Sequence, residues 1–395
     1  MKSKLLFVID SLCIGGAEKS LVSLLNMIDP SLYDIDLLLF KKGGELEDLI
    51  PNYVNILLVP EYFRFINKEI SGAAITNAYF YYYKFKTSFA LRLNNLKKNP
   101  LHSEQVVYKC IHKIFTPLFQ EYDVAIAYSQ GMPTYFVANM VTSEKKLAWI
   151  NTDYSNTLYD KEIDYDSYKK IDKIIAVSQH TKESVSKTRN EYHNKVEIFL
   201  DIINPKVIYK MAEEQESSEF DKSEINLLTV GRLEAVKAHN KAIEVAKKLK
   251  DSGYEFKWYV IGEGSEKAKL QKLIHKYGLN DYFILLGKKL NPYCYMKVCD
   301  IYVQTSLKEG FGLTINEAKI LKRPIICTNF SAAKEIITNN VDGVIVEHDI
   351  DSIYYGIKKY LDDRAFKKKI ENELDRTITY SPVHQISDFY KLISN

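Results

Sequence analysis

Glu309-Gly310-Phe311-Gly312-Leu313-Thr314-Ile315-Asn316-Glu317 decides the reading of this chain. The run before it, Asp300-Ile301-Tyr302-Val303-Gln304-Thr305, reads as a buried strand, and Thr314 to Leu321 reads as a helix closed by Arg323-Pro324. Glu309 then falls in a strand-to-helix loop, and Glu317 about two turns into the helix. The N–H groups of Phe311 to Thr314 open that helix, and a helix start attracts a phosphate or a developing anion. By itself a Glu-Gly-x-Gly stretch is as well explained by a capped helix with solvated acids. Its neighbours favour the other reading, an anion cradle with two separately placed carboxylates, suited to holding a sugar nucleotide.

Outward from this segment the chain repeats a strand-then-helix rhythm. The second half predicts strands at 225–231, 257–261, 283–286, 301–304, 324–327 and 343–346, with amphipathic helices such as 241–250 and 265–277 between them. The first half predicts strands at 5–9, 35–40, 54–59, 124–128, 147–150 and 174–177, with helical patterns at 17–28 and 181–188. Strands alternating with helices mean parallel sheets with crossover helices, an α/β fold of two doubly wound units whose ligands bind at the carboxyl edges of the strands. The expected domains are 1–206 and 207–380, with a C-terminal helix at about 381–395 packing back on the first. The polar, acidic stretch from Lys210 to Glu219 reads as the end of a linker helix.

A length of 395 residues suits two domains, and 46% hydrophobic with 27% charged residues is ordinary for a globular chain with large cores. A net charge of +3 argues against a general nucleic-acid binder. The five cysteines, Cys13, Cys110, Cys294, Cys299 and Cys327, form no CxxC pair, so buried free thiols are expected rather than zinc or disulfides. The start Met1-Lys2-Ser3-Lys4 resembles a signal peptide, but the apolar run stops at Asp10 and reads as a first strand. No apolar run approaches the ~20 residues of a membrane-spanning helix. The expected location is cytoplasmic, at most peripheral to the inner face of the plasma membrane.

Other stretches carry chemistry by position. Gly15-Gly16-Ala17-Glu18 follows the first strand and opens a helix, where small residues admit a ligand to the backbone. Gly231-Arg232-Leu233 ends the first strand of the second unit, and Lys237 follows. A guanidinium fork and a point charge together suit a diphosphate. Gly262-Glu263-Gly264 and Gly287-Lys288-Lys289 end the next two strands as tight turns. Asp164-Tyr165-Asp166 reads as a solvated loop, and the eight His show no paired ligand spacing, so no metal is expected. The aromatic and basic stretch from Tyr79 to Lys86, extended by Arg92, Lys97, Lys98, Lys109 and Lys113, suits an anionic membrane surface through 79–113, or equally two packed helices with solvated lysines.

In order and spacing these residues resemble the retaining GT-B glycosyltransferases, specifically glycosyltransferase family 4. The resemblance rests on Gly15-Gly16-Ala17-Glu18, Val230-Gly231-Arg232-Leu233 with Lys237, Gly262-Glu263-Gly264 and the Glu309/Glu317 pair, with Ala332 to Glu335 and Asp342-Gly343 matching the closing pattern. It covers nearly the whole chain and is strongest from about 225 to 347. It implies two Rossmann-like domains, the first on the acceptor side and the second binding the nucleotide-sugar donor. Arg232 and Lys237 would bind the donor diphosphate, Glu317 the ribose hydroxyls, and Glu309 would face the donor sugar. The Phe311, Gly312 and Leu313 amides would lie near its hydroxyls or the phosphates. Gly16 and Gly262 would let the donor approach the backbone. No metal or other cofactor is implied, because cations and a helix end take that task.

Two departures stand out. Trp149-Ile150-Asn151-Thr152-Asp153 has Asn151 where many relatives carry His, so Asn151 becomes a sugar contact that cannot take a proton at neutral pH. Asp201-Ile202-Ile203-Asn204 exchanges the ends of a common Asn-x-x-Asp. The expected function is transfer of a hexosyl or N-acetylhexosaminyl group from a UDP-sugar to a glycan or lipid-linked glycan. Capsule, exopolysaccharide or lipopolysaccharide synthesis is the expected setting. Two alternatives stay open: a non-catalytic nucleotide-sugar-binding subunit, motivated by the exchanges at Asn151 and Asp201, and a nucleotide-sugar epimerase.

Overall fold

The computed structural model describes residues 2–69, 74–214, 219–220, 223–376 and 382–394, with backbone alone for 74–77 and 382–384. The chain divides into one unit of Met1–Ile202 with Val383–Asn395 and a second of Ile203–Pro382.

In the first unit seven strands are β1 (Ser3–Ile9), β2 (Tyr33–Leu39), β3 (Val54–Ile56), β4 (Glu121–Ala127), β5 (Thr142–Ile150), β6 (Lys173–Ala176) and β7 (Val196–Ile198). They make one parallel sheet in the order β3-β2-β1-β4-β5-β6-β7. β1 is central, with Phe7 level with Leu37 on one side and Ile126 on the other. Leu5 to Ile9 are all buried, as a parallel strand covered on both faces requires, and that is why the run is continuously apolar.

The last helix, Pro382–Ser394, closes one face of this sheet. Phe389 is fully buried, its ring 6.2 Å from Phe7 and 6.0 Å from Phe199. Tyr390 stacks on Tyr33 and accepts a hydrogen bond from the Asp29 amide at 2.8 Å, while Lys145 Nζ donates to the Leu392 carbonyl at 2.7 Å. Truncating Phe389 to Ala is expected to cost about 3–5 kcal/mol, as for a large aromatic removed from a core. Urea unfolding followed by near-UV circular dichroism checks this; an unchanged midpoint would show that the helix is not part of this core.

The second unit has β8 (Ile225–Val230), β9 (Phe256–Ile261), β10 (Phe283–Gly287), β11 (Ile301–Gln304), β12 (Ile325–Thr328) and β13 (Val344–Val346), again all parallel, in the order β10-β9-β8-β11-β12-β13. Two clusters of buried side chains cover its faces, one around Tyr259, Tyr302 and Cys327, the other around Trp258, Val303 and Ile326.

Several expectations are corrected. β3 ends at Ile56, short of Val59, and β7 was not anticipated. The helix after Gly312 spans Leu313–Ile320, so Glu317 lies just over one turn into it, not two. Asp164 is not in a solvated loop. It sits in the helix Lys161–Tyr168, capped by Asp160, and is 1% exposed. It accepts hydrogen bonds from Tyr135, from Tyr154 at 2.6 Å and from Gln105 at 2.7 Å. Burial raises its pKa and those donors oppose the rise, so an acidic triplet taken for surface is a buried polar staple. The helix expected to end within 210–219 spans Pro205–Glu214, and Gln215 to Ser218 lie outside the described residues, as does Ser381. All five cysteines are free, four buried and Cys13 partly exposed.

Candidate functional site

On the second unit the carboxyl ends of β8, β9 and β11 bring three loops together. β8 ends at Val230, and Gly231-Arg232-Leu233 continues from it. The Gly231 amide donates to the Ile261 carbonyl and the Leu233 amide to the Glu263 carbonyl, each at 2.9 Å, which ties this loop to the one after β9. The two backbones pass so closely that a Cβ on Gly262 would lie 1.9 Å from the Gly231 carbonyl oxygen, and one on Gly264 would lie 2.4 Å from that of Leu233. The glycines are therefore required by packing between loops, whatever else binds there.

Lys237 ends a short 3-10 turn, Ala235–Lys237, and its stem runs beside Gly231. Its ammonium pairs with Glu309 Oε1, with the two side chains 16% and 13% exposed. The same oxygen accepts from Gln304 Nε2 and from Ser306 Oγ, the latter at 2.7 Å. Gln304 Oε1 in turn accepts from the Tyr302 hydroxyl at 2.8 Å and from Thr314 Oγ1 at 3.2 Å. Glu309 is thus fixed from the strand, the loop and the helix start at once, and a lysine 72 positions away in sequence is held against it. A pair this far out of water gains from each partner and suffers when either is removed.

Gly312 caps the helix Leu313–Ile320 with φ near 70°, a left-handed conformation natural to glycine, and a Cβ there would meet Ile336 at 2.7 Å. Phe311 and Leu313 pack partly on the core below. Glu317 is 2% exposed, and its Oε1 accepts from the Tyr293 hydroxyl at 2.8 Å. Arg232 is exposed, and its carbonyl lies 3.0 Å from His239 Nε2. Burial pushes the His239 pKa down to about 4, opposed by that backbone bond and helped by the Lys237 charge, so the ring is neutral at pH 7 and buttresses the loop. The structure therefore gathers Arg232, Lys237, Gly262, Glu309, Phe311, Gly312, Leu313 and Glu317 around one sheet edge. Gln304, Ser306 and Tyr293 were not anticipated. A polar Gln at the end of an apolar strand was the one available signal.

Gly16 and Asn151 stand on the first unit. Gly15 caps the helix Gly16–Leu25 directly beyond β1. Asn151 follows β5. Its Nδ2 donates to the Tyr128 carbonyl at 3.0 Å and its amide to Gln130 at 3.1 Å, while its buried Oδ1 has no hydrogen-bond partner among the described residues. A held carboxamide with its acceptor unused suits a ligand hydroxyl.

Two acids of this edge were also missed. Asp10 ends β1 and accepts from Ser129 at 3.1 Å. Burial, then the charges of Glu104 and Glu18, push its pKa up to about 8 against the Ser129 bond. Asp201, buried and bonded to Ser20, is pushed up to about 7, chiefly by burial. A raised folded pKa stabilises below the unfolded value near 4 and loses that contribution as pH rises through the folded pKa. Asp10→Asn is accordingly expected to be more stable than the parent above pH 8, with a flatter stability curve from pH 5 to 9, read by chemical denaturation. An Asp10→Asn curve parallel to the parent's would contradict this.

Residues 210–376, which include the whole gathered edge, match the family model for glycosyl transferases group 1. Over all but a residue or so of both chains, the structure resembles Anabaena HepE in complex with UDP and glucose at a TM-score of 0.72 and 16% identity, and Staphylococcus aureus TarM in complex with UDP at 0.69 and 15%. The architecture is GT-B. Among curated proteins, a GT-B-matching segment of 245 residues is 30% identical to the Campylobacter jejuni N-acetylgalactosamine-N,N'-diacetylbacillosaminyl-diphospho-undecaprenol 4-alpha-N-acetylgalactosaminyltransferase, covering 62% of this chain and 65% of that protein. The Staphylococcus aureus capsular polysaccharide biosynthesis glycosyltransferase CapM is 25% identical over 40% of this chain and 44% of its own. The chain thus spans just under two thirds of the first relative and less than half of the second.

Proposed function

We propose that this GT-B chain is a retaining glycosyltransferase of family 4 that moves a sugar from a UDP-sugar to a glycan or lipid-linked glycan in bacterial surface polysaccharide synthesis. The observation that carries the reading is the fixed Lys237–Glu309 pair beside the Gly231-Arg232 and Gly262 loops, inside the segment that matches glycosyl transferases group 1. UDP in complexes of the structural neighbours supports the choice of nucleotide, and the undecaprenol-linked substrate named for the Campylobacter relative supports a lipid-linked acceptor.

In this reading Arg232 and Lys237 take the diphosphate and stabilise the charge that develops on it as the anomeric C–O bond breaks, with the electron pair leaving on the phosphate oxygen. The acceptor hydroxyl bonds the anomeric carbon from the same face and gives its proton to that oxygen. The helix start at Gly312 and Leu313 faces the donor. Glu309 orients a sugar hydroxyl and holds Lys237, and Glu317 takes the ribose. Asn151 accepts from a sugar hydroxyl. No resident metal is invoked, since the two cations and the helix end supply the positive charge.

The test is UDP release across a panel of UDP-sugars, with and without a membrane lipid extract. Release from one donor that rises with extract supports transfer to a lipid-linked acceptor. Release from none, with UDP still bound, would replace this reading with that of a binding subunit, and an epimerised nucleotide sugar without acceptor would replace it with an epimerase.

A further inference from the structure

We propose that the solvent face of the helix Ala74–Asn95 is a docking surface for an anionic lipid bilayer. This helix has two apolar faces. One packs inward: Phe80, Thr87 and Asn94 are buried, Phe80 contacts Tyr62 and Phe65, and Asn94 exchanges two hydrogen bonds with the Leu101 backbone. The other is left in water. Tyr82, Phe85, Phe89 and Leu93, with Leu96 just beyond the helix, recur at steps of three and four and so form one stripe. Their exposures are 60, 72, 54, 47 and 83%, and Phe85 and Phe89 stack only on each other along it. Soluble surfaces carry such residues singly; a continuous stripe of five calls for an occupant.

The charge around the stripe says which occupant. Lys84, Lys86, Arg92, Lys97 and Lys98 all lie on or just after this helix, and no Asp or Glu occurs from Ile70 to Ser103. On the helix wheel Lys86 and Lys97 border one flank of the stripe and Arg92 the other. Long basic stems beside aromatic rings are what an interface of acyl chains and anionic headgroups takes: rings enter, ammonium groups stay at headgroup level. The helix cannot cross instead. At 22 residues it is long enough, but Lys84, Lys86 and Arg92 interrupt it, and no described helix is long and apolar enough to span. The expectation for 79–113 thereby narrows to one face of one helix, with Lys109 and Lys113 on neighbouring elements.

The proposal takes its purpose from the lipid-linked acceptor proposed above, yet its test needs no sugar transfer, so the two fail separately. The full chain is floated with vesicles of phosphatidylcholine, alone or mixed with phosphatidylglycerol, at low and high salt. Binding is expected to the mixed vesicles only, and to fall with salt. Lys86→Gln/Arg92→Gln is expected to lower partitioning about thirtyfold, or ~2 kcal/mol for two basic residues at an anionic surface. Phe85→Ser/Phe89→Ser is expected to abolish flotation with the thermal midpoint and UDP affinity unchanged, because these rings support no core. Failure of the parent to bind mixed vesicles, or equal binding by both variants, would overturn the proposal. So would a dimer in light scattering that Phe85→Ser/Phe89→Ser dissociates, since a second copy would then be the occupant.

Discussion

Lys237→Ala is expected to lower turnover by a hundred- to a thousandfold, the scale of losing one preorganised charge at a developing anion. UDP affinity should fall as well, because the same ammonium meets the diphosphate before and during bond breaking. Stability should also suffer, since Glu309 keeps its Gln304 and Ser306 donors but loses its cation. A loss on the order of a few kcal/mol is expected for a charge stranded in a half-buried place. The two effects separate in a double variant. Lys237→Ala/Glu309→Ala removes both charges and should recover most of the thermal midpoint while staying inactive. Recovery of turnover along with stability would mean that the pair only holds the loops in place.

Gly262→Ala is expected to act through the backbone. The added Cβ would lie 1.9 Å from the Gly231 oxygen and 2.8 Å from its carbon, and neither atom belongs to a side chain that can swing aside. The loop carrying Arg232 must move, at the ~1–3 kcal/mol typical of overpacking. UDP affinity should weaken by about tenfold or more, the equivalent of ~1.4 kcal/mol. Gly253→Ala is the control. Gly253 also has a positive φ, near 80°, but nothing lies within 4 Å of its would-be Cβ. It should lose some stability to strain and leave UDP affinity untouched. Equal loss of affinity in both would show that the Gly231–Gly262 approach is not what places Arg232.

Much of this architecture was legible because parallel strands buried on both faces are written as unbroken apolar runs. β1, β8, β9 and β11 were found in this way to within a residue or two. β7 escaped because Val196-Glu197-Ile198 is an edge strand of three residues with Glu197 and Ile198 exposed, too short for any period to show. The onset of the helix after Gly312 could be read from its glycine, and the misplacement of Glu317 by about a turn came from counting from Glu309 rather than from that cap. Side-chain partners across long separations were hidden. Lys237 and Glu309 were each chosen for their positions, but nothing in the spacing says that they touch, or that Gln304 joins them to Tyr302 and Thr314. Asp164 misled for the same reason: its burial is made by Tyr135 and Tyr154, which a local reading of Asp-Tyr-Asp does not contain.

Calorimetric titration of UDP into the full chain tests the central claim most directly, because it needs neither the donor sugar nor the acceptor. One saturable site is predicted, weakened by Arg232→Ala and by Lys237→Ala and unchanged by Phe85→Ser/Phe89→Ser. No heat of binding, or the same affinity in the parent and in both cation variants, would contradict a nucleotide-sugar site at the carboxyl edge of the second sheet.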